Sequence, residues 1–111
     1  MITTLILMSF LSMPSLSMAM SSVESNHNFL VRGDKGKSHG MFQIQPRHHG
    51  YVPKSVTGQM AKHDAILLEL LQACGHDIKE SVSRYNGGRN NKRYVGKVTR
   101  AMLQRELLGE I

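Results

Sequence analysis

Hydrophobic and polar positions along this chain change period several times, and each period predicts an element. Leu16, Ala19, Met20 and Val23 recur at i, i+3, i+4 and i+7, the spacing of one buried helical stripe. Pro14 stands where the first turn of a helix accepts proline, and Asn26 follows as a residue that tolerates left-handed backbone after a helix end. The reading is a helix from Pro14 to Ser25 with Glu24 in its last turn. Further on, residues 32 to 40 are so rich in glycine and small polar side chains that they predict a loop. Met41 to Gln45 alternates apolar and polar before Pro46, as a short extended segment would. Thr57 is read as the N-cap of the strongest core helix, with Ile66, Leu67, Leu70, Leu71 and Cys74 on its buried face and Gly75 as its stop. Asp77 and Glu80 have the form of a capping box opening a short helix, whose Ile78, Val82 and Tyr85 share a face and which ends at Asn86-Gly87-Gly88. A final helix from about Asn91 to Leu108 would bury Tyr94, Val95, Val98, Met102 and some of the closing leucines. The fold class expected is a mainly α, small helical domain with a loop-rich groove and at most a minor extended segment.

The apolar beginning needs its own reading. Leu5 to Leu11 is an apolar run and Ser17-Met18-Ala19 has the small-x-small form of an export cleavage site. Against that, Met1 to Thr4 carries no Lys or Arg, and cleavage after Ala19 would leave four residues before Glu24. A spanning helix needs about 20 unbroken apolar residues, and Ser9, Ser12, Ser15 and Ser17 with Pro14 break the stretch, so no transmembrane span is expected. Residues 1–13 are read as an apolar leader or an added core segment, and residues 14–108 as one domain.

Composition narrows the function classes. At 111 residues the chain has room for one core and not for two. Its single cysteine, Cys74, excludes an internal disulfide and a thiolate zinc site. Fourteen Lys+Arg against eight Asp+Glu give a formal charge of +6, which favours an anionic partner. The charge is uneven: up to Val31 the only ionisable side chains are Glu24 and His27, whereas residues 79 to 105 hold eight Lys and Arg against Glu80 alone. A nucleic-acid-binding module is the rival reading of that basic end, but no aromatic-interleaved RNA motif accompanies it. Six histidines (His27, His39, His48, His49, His63 and His76) show no His-Glu-x-x-His or comparable pair, so no metal and no cofactor are expected. Arg32-Gly33-Asp34 has the form of an adhesion triplet, which three residues reach readily by chance.

The candidate chemistry is carried by three short motifs in order: Glu24-Ser25, then Gly40-Met41-Phe42-Gln43-Ile44 sixteen residues on, then Tyr85-Asn86-Gly87-Gly88. Glu24 alone would read as a solvated helix-end glutamate. The three together resemble the signature of the lysozyme-like lytic transglycosylases of the soluble (SLT) type, glycoside hydrolase family 23, over residues 14 to about 100. The resemblance implies cleavage of the β-1,4 bond between N-acetylmuramic acid and N-acetylglucosamine in peptidoglycan, without water in the bond-breaking step and with a 1,6-anhydro product. It implies Glu24 as general acid and then base, and a carboxyl facing an apolar wall is the environment that raises a pKa for such work, as in the lysozyme example. By position it places Gln43 and Tyr85 in the groove, Tyr85 reaching toward the glutamate, with less certain roles for Gln45, Ser38, His39 and Asn86, the last chiefly fixing a turn. The loop after Glu24 departs from the family pattern, having Gly33-Asp34 at its middle. Asp34 therefore raises an alternative, a muramidase of the goose-type lysozyme kind, in which a second carboxylate activates water. The implied partners are peptidoglycan strands and a secretion, pilus or phage assembly at the cell envelope, with a monomer expected.

Overall fold

The computed structural model describes residues 2–87 and 91–107, with side chains from Pro14 onward except that of Glu106. The chain is mainly helical: α1 (Ile2–Ser25), α2 (Pro46–His49), α3 (Val56–Ala73), α4 (Ile78–Tyr85) and α5 (Lys92–Leu107), with strands β1 (Arg32–Gly33) and β2 (Ser38–His39) between α1 and α2. Among the described residues no helix is long and apolar enough to cross a membrane.

Two apolar clusters hold these pieces together. The first joins Leu16, Ala19 and Met20 of α1 to Leu67 and Leu71 of α3, Val82 of α4, and Tyr94 and Val98 of α5. It is the stripe geometry expected from the sequence, and α1 lies chiefly against α5 and α3 against α4. The second gathers Met41, Phe42, Ile44 and Val52 from the connecting segment onto Ile66 of α3. Tyr85 packs against both.

Several boundaries differ from the sequence reading. Helix α1 starts at Ile2 and carries Pro14 in its interior. Met13 offers no side-chain oxygen to cap a helix beginning at Pro14, and the helix continues through the proline although it forfeits one intrahelical bond and crowds the carbonyl of the preceding turn. Ser55, not Thr57, caps α3, its Oγ accepting from the Gly58 amide. Asp77 caps α4 as expected, accepting from the Glu80 amide at 3.0 Å, but Glu80 turns to Arg84 instead of closing the box. Leu103 and Leu107 are exposed at 54% and 86%, so those closing leucines leave the core; Leu108, like Gly88, lies outside the described residues.

The loop expected over residues 32 to 40 is a small antiparallel hairpin, with Arg32 opposite His39 and Gly33 opposite Ser38. It turns through Asp34, Lys35 and Gly36, all at positive φ. Gly40-Met41-Phe42-Gln43 is a turn and not an extended segment: the Gln43 amide returns to the Gly40 carbonyl at 3.1 Å with Gln43 at φ 50°, and Ile44 then bridges back to His39.

Buried polar residues tie the two clusters. Gln59 of α3 accepts from the Met41 amide at 2.8 Å and donates to the Phe29 carbonyl at 2.9 Å. Gly40, at φ +82°, leaves the space the Gln59 amide occupies, which a Cβ there would invade. Deeper, Ser17 of α1 donates to Asp64 Oδ1 at 2.7 Å, and His63 Nδ1 meets the same oxygen at 2.9 Å. The His63 ring is fully buried, stacks on Phe42 at 3.9 Å and meets Tyr85 edge-on at 5.1 Å. Burial pushes the Asp64 carboxyl up, but hydrogen bonds from His63 and Ser17 outweigh it and hold the group below the usual carboxylate range.

Candidate active site

Glu24 emerges from the last turn of α1, one residue past Val23, where the apolar stripe ends. Its carboxyl lies at a cleft of about 280 Å³ lined by Val23, Asn86, Asn91, Arg93, Tyr94 and Lys97. The Tyr94 hydroxyl donates to Glu24 Oε2 at 2.8 Å. Burial pushes the Glu24 pKa up to about 7; the Tyr94 bond opposes the rise, and the negative charge of Asp34 adds to it. The acid is therefore largely protonated in mildly acidic solution and divides its population near neutrality, the condition a group needs to give a proton and then take one.

Ser25 fixes where that carboxyl stands. Its Oγ donates to the Met41 carbonyl at 2.8 Å and accepts from the Asn28 amide at 3.0 Å. One hydroxyl thus stitches the end of α1 to the Gly40–Gln43 turn and starts the reversal that follows through Asn26 and His27, at φ 53° and 64°. This gives the Glu-Ser pair a mechanical reason: the residue beside the acid sets the distance from α1 to the turn.

The other candidate residues divide. Tyr85 does not bond Glu24; its hydroxyl donates to the Phe42 carbonyl at 3.0 Å, and burial followed by the charges of Glu24 and Asp64 keeps its phenol well above the ordinary range. The tyrosine expected at the acid is instead Tyr94, read from the sequence only as a core residue of the last helix. Burial, then the Glu24 charge and the bond to it, hold the Tyr94 phenol protonated and therefore a donor. Asn86 is the C-cap of α4 and lines the Glu24 cleft, where its Oδ1 accepts from Asn91 Nδ2 at 2.6 Å. Asn91 in turn accepts from the Tyr94 amide at 3.2 Å, so the acid's donor is seated by its own helix start.

Gln43 is turned inward, donating to the Gly40 carbonyl at 2.9 Å and lying over Gly33, whose missing Cβ makes the room. It braces the hairpin against the turn. Ser38 is buried and donates to Asp34 Oδ2 at 2.6 Å, and Gln45 Nε2 reaches Ser38 Oγ at 3.4 Å. His39 Nε2 sits 3.0 Å from the Gly36 carbonyl. These side chains shape the loop that carries Asp34, and Asp34 is the only one whose charge is felt at Glu24.

Comparison with family models, with curated proteins and with solved structures gives no match. The case for a function rests on the site itself. Among the described residues no three His, Cys, Asp or Glu side chains come together as metal ligands would. From its described residues the cleft offers one proton-carrying carboxyl, a phenol that orients it, two amides and two cations.

Proposed function

We propose that this chain is a peptidoglycan lytic transglycosylase that cleaves the MurNAc–GlcNAc β-1,4 bond, with Glu24 as acid and then base. The observation that carries the reading is a half-buried carboxyl, raised to about 7 and held by Tyr94 at the wall of an open cleft. In its protonated form Glu24 gives its proton to the glycosidic oxygen as the bond to the muramyl C1 breaks. The carboxylate left behind is poorly solvated and so a stronger base than an exposed one. It takes the proton of the muramyl 6-hydroxyl as that oxygen bonds to C1, which closes the 1,6-anhydro ring and returns Glu24 to its acid form. Tyr94 keeps one carboxyl oxygen occupied and the other free to face the sugar. The site of action is the cell envelope, for an exported or a phage-associated enzyme.

Asp34 supports a second reading, an inverting muramidase in which it activates water. Its charge reaches Glu24 and Ser38 fixes one of its oxygens, as a base held in place would require. Two measurements test both. Glu24→Gln should lower the rate at which purified peptidoglycan loses turbidity by at least about a hundredfold, within the range that general acid–base catalysis supplies; clearing at the parent's rate sinks the enzyme reading. Mass spectrometry of the released muropeptides then separates the chemistries, since a product lighter by one water marks the transglycosylase and a reducing end marks the hydrolase.

A further inference from the structure

Helix α5 borders two clefts whose charges differ. The larger, between α4 and α5, is lined by Lys79, Lys92 and Arg100 and also by Asp77 and Glu80, so its lining carries both signs of charge. The smaller is the Glu24 cleft, whose cations are Arg93 and Lys97. Among the described residues its only carboxyl is Glu24, which is uncharged when poised to give its proton. Among the described residues neither Arg93 nor Lys97 is paired with an acidic side chain, whereas Arg84 is held by Glu80 at 3.0 Å. Arg93 and Lys97 are one helical turn apart on the same face, about 5–6 Å between Cβ atoms. Like charges so placed repel each other unless an anion lies between them. Both side chains are exposed to solvent while lining the same cleft as Glu24.

We propose that Arg93 and Lys97 form a carboxylate-binding subsite beside Glu24, which takes the acidic substituent on O3 of a muramyl ring seated in this cleft. The proposal rests on the glycan-cleaving reading above and adds which sugar the cleft prefers. The scissile bond is at C1 of the muramyl ring and the acidic substituent is two carbons away on the same ring, so acid and anion-binding pair must lie in one small cleft. At about 280 Å³ it falls just below the roughly 300–1,000 Å³ usual for small-ligand pockets, a size for one substituted ring and not for a run of sugars. Arg93 supplies a planar fork that fits a carboxylate, and Lys97 a point charge one turn on. N-acetylglucosamine, which lacks the substituent, would leave both cations unpaired. The carboxylate is the lactyl group itself where the glycan carries no peptide, or the first acidic residue of the peptide stem where it does.

The test is an NMR titration of the full chain with N-acetylmuramic acid and with its methyl ester, alongside muramyl dipeptide and its ester. An exposed charge pair is worth up to about fivefold in binding, so the acid should bind about fivefold tighter than its ester, with the largest shifts at the Arg93 and Lys97 amides. A preference confined to the free sugar acid assigns the subsite to the lactyl group, and one confined to the dipeptide assigns it to the stem. The preference should vanish in Arg93→Gln/Lys97→Gln and shrink in added salt, and the acid–ester comparison on the parent protein stands whether or not the variant folds. Equal affinity within both pairs, no shift with any of the four, or a preference that survives the double substitution overturns the proposal. Peptidoglycan clearing by the parent is scored separately: clearing without the preference removes the subsite alone, and the preference without clearing removes the cleavage reading alone.

Discussion

Glu24 is influenced by two regions, a cleft wall and a more distant hairpin, built in opposite ways. On one side α5 presents Tyr94 from a regular helix whose Val98 and Tyr94 are buried in the main core, and the contact is a direct hydrogen bond of 2.8 Å. On the other, the β1–β2 hairpin presents Asp34 from a turn of three consecutive positive-φ residues, secured by Ser38 at 2.6 Å, and its influence on Glu24 is electrostatic. The helical wall is held by apolar burial, about 25 cal/mol per Å² removed from water. The hairpin wall is held by backbone geometry and a few polar bonds, each worth about 1 kcal/mol net. The helical wall holds one carboxyl oxygen by a hydrogen bond, and the hairpin acts on the acid through charge.

The largest effect that sharpens this contrast concerns the acid itself. A carboxyl whose folded pKa lies near 7 against an ordinary 4.5 favours the folded state when protonated. That stability is fully present below the unfolded pKa and is lost as pH rises through about 7. The loss is on the order of 3 kcal/mol at 1.36 kcal/mol per unit. Glu24→Gln should therefore match the parent's melting temperature near pH 4 and exceed it at pH 8; parallel curves for the two proteins would mean that the carboxyl is not buried.

Next comes the helical wall. Tyr94→Phe leaves the packing of α5 and removes one donor, so it should lower activity by about tenfold, as one lost hydrogen bond to a charged group of about 1.5 kcal/mol predicts. Because the Tyr94 bond opposes the rise in the Glu24 pKa, the activity profile should also move to higher pH. A change in rate with no such movement would mean that the bond does not act on the acid.

The smallest effect belongs to the hairpin wall. Asp34→Asn removes a charge that raises the Glu24 pKa, so the profile should shift slightly to lower pH with the rate near the parent's. If activity is lost and the parent's product carries a reducing end, Asp34 is the base of a hydrolase and the wall is catalytic in its own right.

These walls also differ in how far the sequence declares them. The stripe Leu16, Ala19, Met20 and Val23 predicts a helix because burial has a period, and the buried face of α5 was readable for the same reason. The target of the Tyr94 hydroxyl was not, because its partner lies 70 residues away and no local spacing encodes a contact across two helices. Tyr85 sits in the more recognisable motif, yet its hydroxyl is spent on the Phe42 carbonyl. The hairpin has no signature in the sequence because strands of two residues have no alternation to display. Its glycines and Asp34 show only that the chain turns there. The polar bridge of Ser17, His63 and Asp64 has no local signature, because it joins α1 to α3 on a face where apolar neighbours dominate the pattern.

That bridge supplies a built-in spectroscopic probe. With the Asp64 carboxylate accepting from Ser17 and standing 2.9 Å from His63 Nδ1, the imidazole proton belongs on Nδ1 and is screened from solvent exchange. Its resonance should sit far downfield in the proton spectrum, and the carbon-bound ring protons, stacked on Phe42 at 3.9 Å, should be displaced upfield by the aromatic current. One unlabelled spectrum would then report whether the Gly40–Gln43 turn is seated on α3, before any substrate is added.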